Sequence, residues 1–298
     1  MIPEPTGGTT QLYEPSPVKR FRRSDAEILT IKSAILDIVY EDHPMTLRGL
    51  FYRLVSAGLI GKTENEYKNT GRYLLQMRRD GTLPYSMIAD NTRWMRRRPS
   101  YNNLDDALRR TAHAYRRALW TEQSAYVEIW CEKDTLAGVL YAETDAYDVP
   151  LMVVRGFSSE TYLYEAASTM EEAGKPVHLY VMTDLDPSGV SIAADIERKI
   201  RGFIPDTDVT VDRIAVTPEQ VTAWQLPTRP TKKTDSRAKS FTGESVELDA
   251  IPPSTLRRLV RESIETHIDR DVLERTRDTE RMERSALESI REHLGGGA

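Results

Sequence analysis

The chain has 298 residues, a net charge of −5 and a single cysteine. That length allows one large or two modest domains with ample core. No apolar run reaches the ~18 residues of a membrane helix, the start Met1-Ile-Pro-Glu-Pro-Thr-Gly-Gly is unlike a signal peptide, and one cysteine excludes an intrachain disulfide or a multi-cysteine zinc site.

These features predict a soluble, cytoplasmic protein with no membrane partner. The acidic total hides an asymmetry. Residues 1–120 carry 20 Lys and Arg against 13 Asp and Glu, whereas residues 121–298 carry 21 against 33. A front half at +7 is suited to tracking phosphates, and a rear half at −12 to holding a divalent cation.

In chain order, residues 1–23 read as a mobile tail rich in Pro, Gly and Thr that ends in a basic cluster, Lys19-Arg20-Phe21-Arg22-Arg23. The cluster either touches DNA or stays solvated. Ser24 is placed to cap a helix with an apolar stripe of Ile28, Ile31, Ile35, Leu36 and Val39, which His43-Pro44 ends. Thr46 then caps a helix over roughly 47–57, and a second helix runs over 64–79, with Gly58 and Gly61 between them at helix-turn-helix spacing.

In the first of these two helices Arg48 and Tyr52 stand at i, i+4 on one face. A guanidinium there can bind a phosphate and favour the phenolate, which an unassisted tyrosine does not form near neutral pH. The alternative is that Tyr52 packs in a core beside Phe51. In the second helix Lys68, Arg72, Gln76 and Arg79 form a basic stripe opposite Tyr67, Leu74 and Met77, as a DNA-reading helix requires, although a solvated charged face has the same pattern. Gly81 to Asp90 suggests a short hairpin wing. Arg93, Arg96, Arg97 and Arg98, interleaved with Trp94, follow as a phosphate-binding patch, and Asn102 to Trp120 reads as a linking helix.

The rear half alternates strand-like and helical runs. Ala125 to Cys131 is an apolar run ending at Glu132, Thr135 to Glu143 is helical, Pro150 to Val154 is strand-like and Ser159 to Glu172 is amphipathic. Val177 to Thr183 is another strand, ending in Asp184-Leu185-Asp186-Pro187-Ser188-Gly189. This order predicts a parallel wound α/β sheet with Glu132, Asp184 and Asp186 at one edge. Residues two apart at a strand end project together, so Asp184 and Asp186 can share a cation; a bare Asp-x-Asp taken alone is more often a solvated turn or an N-cap. Pro187 suits a first helical position, and Gly189 lets backbone or ligand come close. Cys131 reads as a buried small hydrophobe.

Further on, Asp208 to Val216 is strand-like, and Leu226 to Lys239 is a basic loop that lies along DNA or on the surface. Helices over 254–267 and about 271–292 close the chain.

Glu132-Lys133-Asp134 with Asp184-Leu185-Asp186-Pro187-Ser188-Gly189 resembles a Toprim domain, and most closely that of the A subunit of topoisomerase VI, whose relatives include the meiotic double-strand-break protein. Thr46-Leu47-Arg48-Gly49-Leu50-Phe51-Tyr52 matches that family's arginine, three residues, tyrosine motif. Val246-Glu247-Leu248-Asp249-Ala250 resembles a segment near the end of the family's Toprim region, where the two acids either support the site or merely pack. The resemblance covers about Thr46 to about Asp249, and the compact size resembles the stand-alone Mini-A type.

The resemblance implies a winged-helix domain over 24–120 and a Toprim domain with C-terminal helices over 121–298. It implies a topoisomerase in which Tyr52 forms a 5′-phosphotyrosyl link to double-stranded DNA. Arg48 would stabilise the transition state, Glu132 would serve as general acid or base or as a ligand, and Glu132, Asp184 and Asp186 would hold Mg2+ or Mn2+. It also implies a homodimer with sites formed in trans. No Walker-type phosphate loop is present, so ATP would have to come from a separate ATPase subunit if it is used at all. The rival expectations are a Toprim nuclease of the plasmid-defence type that uses water, and a non-catalytic DNA-binding factor.

Overall fold

The computed structural model describes residues 23–88, 100–154, 160–231, 241 and 243–295. It is a mixed α/β structure, 60% helical, with a four-stranded parallel sheet. No helix among the described residues is long and apolar enough to cross a membrane.

The front helices start and stop where their capping residues dictate. Ser24 and Glu27 exchange hydrogen bonds in a capping box at the start of α1 (Asp25–Asp42), an arrangement worth about 1 kcal/mol. The helix buries Ile31, Ile35, Ile38 and Val39. Asp42 at its end is fully buried, where it pairs with Arg53 and Arg257 and accepts the Ser254 N–H at 2.7 Å. A buried carboxylate needs such partners, and here they bind α1 and α2 (Leu47–Ser56) to α9 (Pro253–Glu265). Thr46 caps α2, and Thr63 caps α3 (Glu64–Arg79). Between them Gly58 takes a φ of +70°, a conformation that favours glycine.

Two sequence expectations are corrected here. Residues 81–88 form no hairpin; Tyr85–Met87 is a 3₁₀ turn, and Ile88 makes a single parallel bridge to Met45. Pro84 lacks a ladder donor, and buried Leu83 instead closes the end of α3 through its N–H to the Met77 carbonyl. The linking helix is also shorter than expected, α4 covering Leu104–Ala114. Beyond it the chain is extended at Tyr115, whose hydroxyl donates to Glu283 at 2.6 Å, and the Arg117 N–H donates to Glu280 at 3.0 Å. These contacts with α10 (Arg270–Gly295) replace the bonds that a longer helix would make internally.

The rear half runs β1 (Tyr126–Cys131), α5 (Ala137–Ala146), β2 (Leu151–Val153), α6 (Glu160–Glu172), β3 (Val177–Met182), α7 (Pro187–Phe203), β4 (Val209–Ala215) and α8 (Pro218–Ala223). The sheet order is β2-β1-β3-β4, all parallel. Both faces are covered, as a parallel sheet requires. Trp130, Leu179 and Val181 face Leu163, Met170, Ile192, Ile196 and Ile200 of α6 and α7. Val127, Ile129, Cys131 and Met182 face Leu140 of α5 and Leu256, Val260 and Ile264 of α9. This second core continues without a break into Ile35, Leu50, Leu54 and Met77 of the front helices.

The order 2-1-3-4 places the topological switch point between β1 and β3, where the chain leaves in opposite directions. Open α/β sheets form their ligand crevices beyond the carboxyl ends of strands at such a point. Glu132 follows β1, and Asp184 and Asp186 follow β3.

Candidate active site

At the switch point the three expected carboxylates reach one edge, each already engaged. Glu132 Oε2 accepts the Asp184 N–H at 3.0 Å. Asp184 Oδ1 accepts the Leu248 N–H at 2.8 Å, and its Oδ2 lies 2.8 Å from the Lys133 ammonium. Asp186 caps α7 through the Gly189 N–H at 2.8 Å, so the N-cap alternative is realised at this residue. Its Oδ2 stands 3.5 Å from Arg229. As they stand, no three His, Cys, Asp or Glu side chains among the described residues form a group that could hold a metal ion.

The close approach expected at Gly189 is made by backbone. A Cβ there would lie 2.2 Å from the Asp184 carbonyl oxygen. Only glycine lets α7 begin so near the end of β3.

The edge is short of positive charge. Burial pushes the Glu132 carboxyl above its ordinary value, and the neighbouring charge of Asp184 adds to this. Asp249 is almost fully buried and is raised by that burial. Its Oδ1 accepts the Thr46 hydroxyl at 3.3 Å, its Oδ2 has no hydrogen-bond partner, and Lys133 Nζ stands 3.7 Å away. For Lys133, burial works against the ammonium, but Asp184 and Asp249 outweigh it and raise its affinity for the proton. Hard oxygen donors with an excess of buried negative charge fit a divalent cation.

Tyr52 and Arg48 line a neighbouring cleft of about 440 Å³ together with Lys62, Tyr67, Arg229 and Glu247. Tyr52 is buried, stacks edge-on against Phe51 at 5.4 Å and lies beneath Lys62 Nζ at 5.2 Å. The expected effect of Arg48 on the phenol is outweighed. Burial, then the charge of Glu247, push the Tyr52 hydroxyl above its ordinary value despite Arg48 and Arg229. The Arg48 guanidinium is tied up by Glu247 at 2.6 Å. It also borders a second cleft of about 770 Å³ that reaches Lys133, Asp134 and Asp249, so tyrosine helix and acidic edge adjoin within one chain.

The α3 stripe lies as expected, with Lys68, Arg72, Gln76 and Arg79 exposed and Leu74 and Met77 buried. Several of its members have partners within the fold: Lys68 pairs with Glu64, Arg72 bonds Asn69, and Gln76 accepts from Lys32. Arg93, Arg96, Arg97 and Arg98 lie outside the described residues, as do residues 1–22 and residues 232–239 of the basic loop. Arg23 is described and pairs with Glu66 at 2.6 Å. Cys131 is fully buried and its thiol is pushed up to about 12, which suits a packing residue.

Sequence reasoning did not assign Lys62, Lys133 or Arg229 to the site and left Glu247 and Asp249 undecided. The available signal was the alternation Val246-Glu247-Leu248-Asp249, in which two acids punctuate residues that are buried here. The chain matches no protein-family model and no curated protein sequence.

Proposed function

We propose that this chain is a DNA-cleaving transesterase of the topoisomerase VI A-subunit type, with a helix-turn-helix front and a Toprim-like rear. One observation carries the reading. Three consecutive residues join the tyrosine helix to the acidic edge: Glu247 binds Arg48, the Leu248 N–H binds Asp184, and Asp249 binds Thr46, the cap of α2. Nucleophile and acids therefore belong to one constellation, at the crevice where a wound sheet takes its ligand. The hairpin wing is not part of this support.

In the proposed reaction the Tyr52 oxygen bonds to a backbone phosphorus and passes its proton to water in the cleft, while the bond from phosphorus to the 3′-oxygen breaks. Glu132, whose raised carboxyl holds a proton more readily than usual, supplies one to that oxygen. Arg48 meets the charge that develops on the phosphoryl oxygens. Asp184 and Asp186, joined by Glu132 where it does not serve as the acid, would hold Mg2+ or Mn2+, which would neutralise phosphate charge. The phosphodiester energy is conserved in the tyrosyl link, so resealing needs no ATP. Cutting both strands of a duplex takes two tyrosines, which makes a homodimer part of the proposal, with each site built within one chain in place of the in-trans sites that the resemblance implies.

Incubating plasmid with the protein and Mg2+, then denaturing, should leave protein attached to DNA 5′ ends. Tyr52→Phe, which keeps the ring packing, should abolish both adduct and cleavage. Full cleavage without an adduct would replace the transesterase with a second reading, a metal-dependent nuclease using water. The buried, hard-to-ionise phenol is the observation that favours that rival.

A further inference from the structure

The Tyr52 cleft gathers three cations, Arg48, Lys62 and Arg229, around one buried carboxylate, Glu247; the other carboxylate of its lining, Glu64, is exposed and pairs with Lys68. Glu247 divides its two oxygens between the guanidiniums, Oε2 lying 2.6 Å from Arg48 and Oε1 3.3 Å from Arg229. Two oxygens of one anion, each held by a different guanidinium, is also how a phosphodiester would be gripped by the same pair. The third cation fixes the cleft's wall. Lys62 Nζ donates to the carbonyls of Pro227 at 3.2 Å and Thr228 at 2.8 Å, which holds the segment bearing Arg229 against the turn between α2 and α3.

Nothing local requires this arrangement. Glu247 comes from a segment 199 positions away from Arg48, and the Arg48 side chain remains 45% exposed at the mouth of the cleft. An entering anion can therefore reach the guanidinium without unfolding the segment. Removing Glu247 would take from Arg48 its partner and leave Arg229 only the longer contact to Asp186.

We infer that Arg48, Arg229 and Lys62 form the seat for a DNA phosphodiester beside Tyr52, and that the Glu247 carboxylate occupies this seat as an internal stand-in that the phosphate displaces. The inference rests on the DNA-cleaving reading for the identity of the anion. Arg229 also stands 3.5 Å from Asp186, so an anion drawing on Arg229 would loosen that contact and link occupancy of the seat to the acidic edge.

The test measures binding of a short fluorescein-labelled DNA duplex to the full-length chain in excess chelator, so that no cleavage intervenes. Glu247→Gln keeps the shape of the side chain and removes its charge. Since the seat is then always free to accept phosphate, affinity should rise roughly tenfold, and inorganic phosphate should compete more effectively than with wild type. Adding Arg229→Ala to Glu247→Gln should cancel the gain. Unchanged or weaker binding by a Glu247→Gln protein that melts cooperatively would overturn the stand-in. If that variant does not fold, Glu247→Asp, too short to span both guanidiniums, serves the same comparison with the same expected sign. Wild-type binding with a silent Glu247 would overturn this inference and spare the DNA-cleaving reading. Tighter binding by Glu247→Gln in a protein that never forms a tyrosyl adduct would do the reverse. No duplex binding by any form would overturn both.

Discussion

Two ion clusters lie side by side, built on opposite plans. In the tyrosine cleft Arg48, Lys62 and Arg229 surround one buried carboxylate, Glu247. At the sheet edge Asp184 and Asp249 flank one ammonium, Lys133, and Glu132 accepts the Asp184 N–H beside them. In each, a single opposite charge lies among several like charges, buried at the edge and partly exposed in the cleft. Such a residue is a weak source of net stability, yet removing it is costly where the unpaired charges remain buried, as Asp184 and Asp249 do. The comparison teaches that Glu247 and Lys133 are the informative positions, more so than the groups they neutralise.

The largest effect is expected from Lys133→Met. It leaves Asp184 and Asp249 without their cation and should lower stability by about 3 kcal/mol near neutral pH, measured by urea unfolding. Part of the loss should return as the pH falls, because the orphaned carboxylates take up protons that restore neutrality. A stability equal to wild type at neutral pH would mean that Lys133 does not balance the edge.

Gly189→Ala attacks the scaffold of the same edge. Its Cβ would meet the Asp184 carbonyl oxygen at 2.2 Å, a backbone atom with little freedom to yield. A loss of about 2 kcal/mol is expected in thermal or chemical melts, since overpacking usually costs ~1–3 kcal/mol. A neutral outcome would show that α7 can slide from β3 at little cost.

The other cluster is sharpened by pH. Burial opposes ionisation of Glu247, but Lys133, Arg48 and Arg229 together hold its carboxyl below the ordinary range. A depressed folded value means that this contribution is complete above the unfolded value of about 4.3 and is lost as the pH falls through the folded one. Glu247→Gln should therefore reduce stability by about 1 kcal/mol at neutral pH and flatten the acid limb of a melting-temperature profile. An acid limb identical to wild type would detach Glu247 from that role.

The smallest effect concerns the exposed stripe of α3. Replacing Arg72 and Arg79 with Ala should leave folding within about 0.5 kcal/mol of wild type. Binding to unrelated duplexes should weaken alike, and the slope of log K against log salt should shrink by about 0.9 for each lost phosphate contact. An unaltered slope would confine the DNA grip to the tyrosine cleft and to residues other than these two.

Much of this architecture is legible in the sequence. Apolar runs ending in acids mark β1 and β3, and the caps Ser24, Thr46 and Thr63 mark helix starts, because both signals are local. What escapes local reading is decided by distant partners. Residues 115–120 carry no strong helix breaker, yet they leave the helix for contacts with α10. The pairing of Arg48 with Glu247 spans 199 positions, and that of Asp184 with Leu248 spans 64. The expected help from Arg48 to Tyr52 considered one neighbour on one helix face. Burial and a carboxylate from the far end of the chain outweigh it.

The unbroken core that passes from the front helices into one face of the sheet has a consequence for cooperativity. Ile35 and Leu54 belong to the same apolar body as Val260 and Cys131, so melting the front strips water-shy cover from α5 and α9. Severing the chain near residue 120 should then yield two sticky fragments in place of two working modules. Heating the intact chain should give a single calorimetric peak in which both halves are lost together.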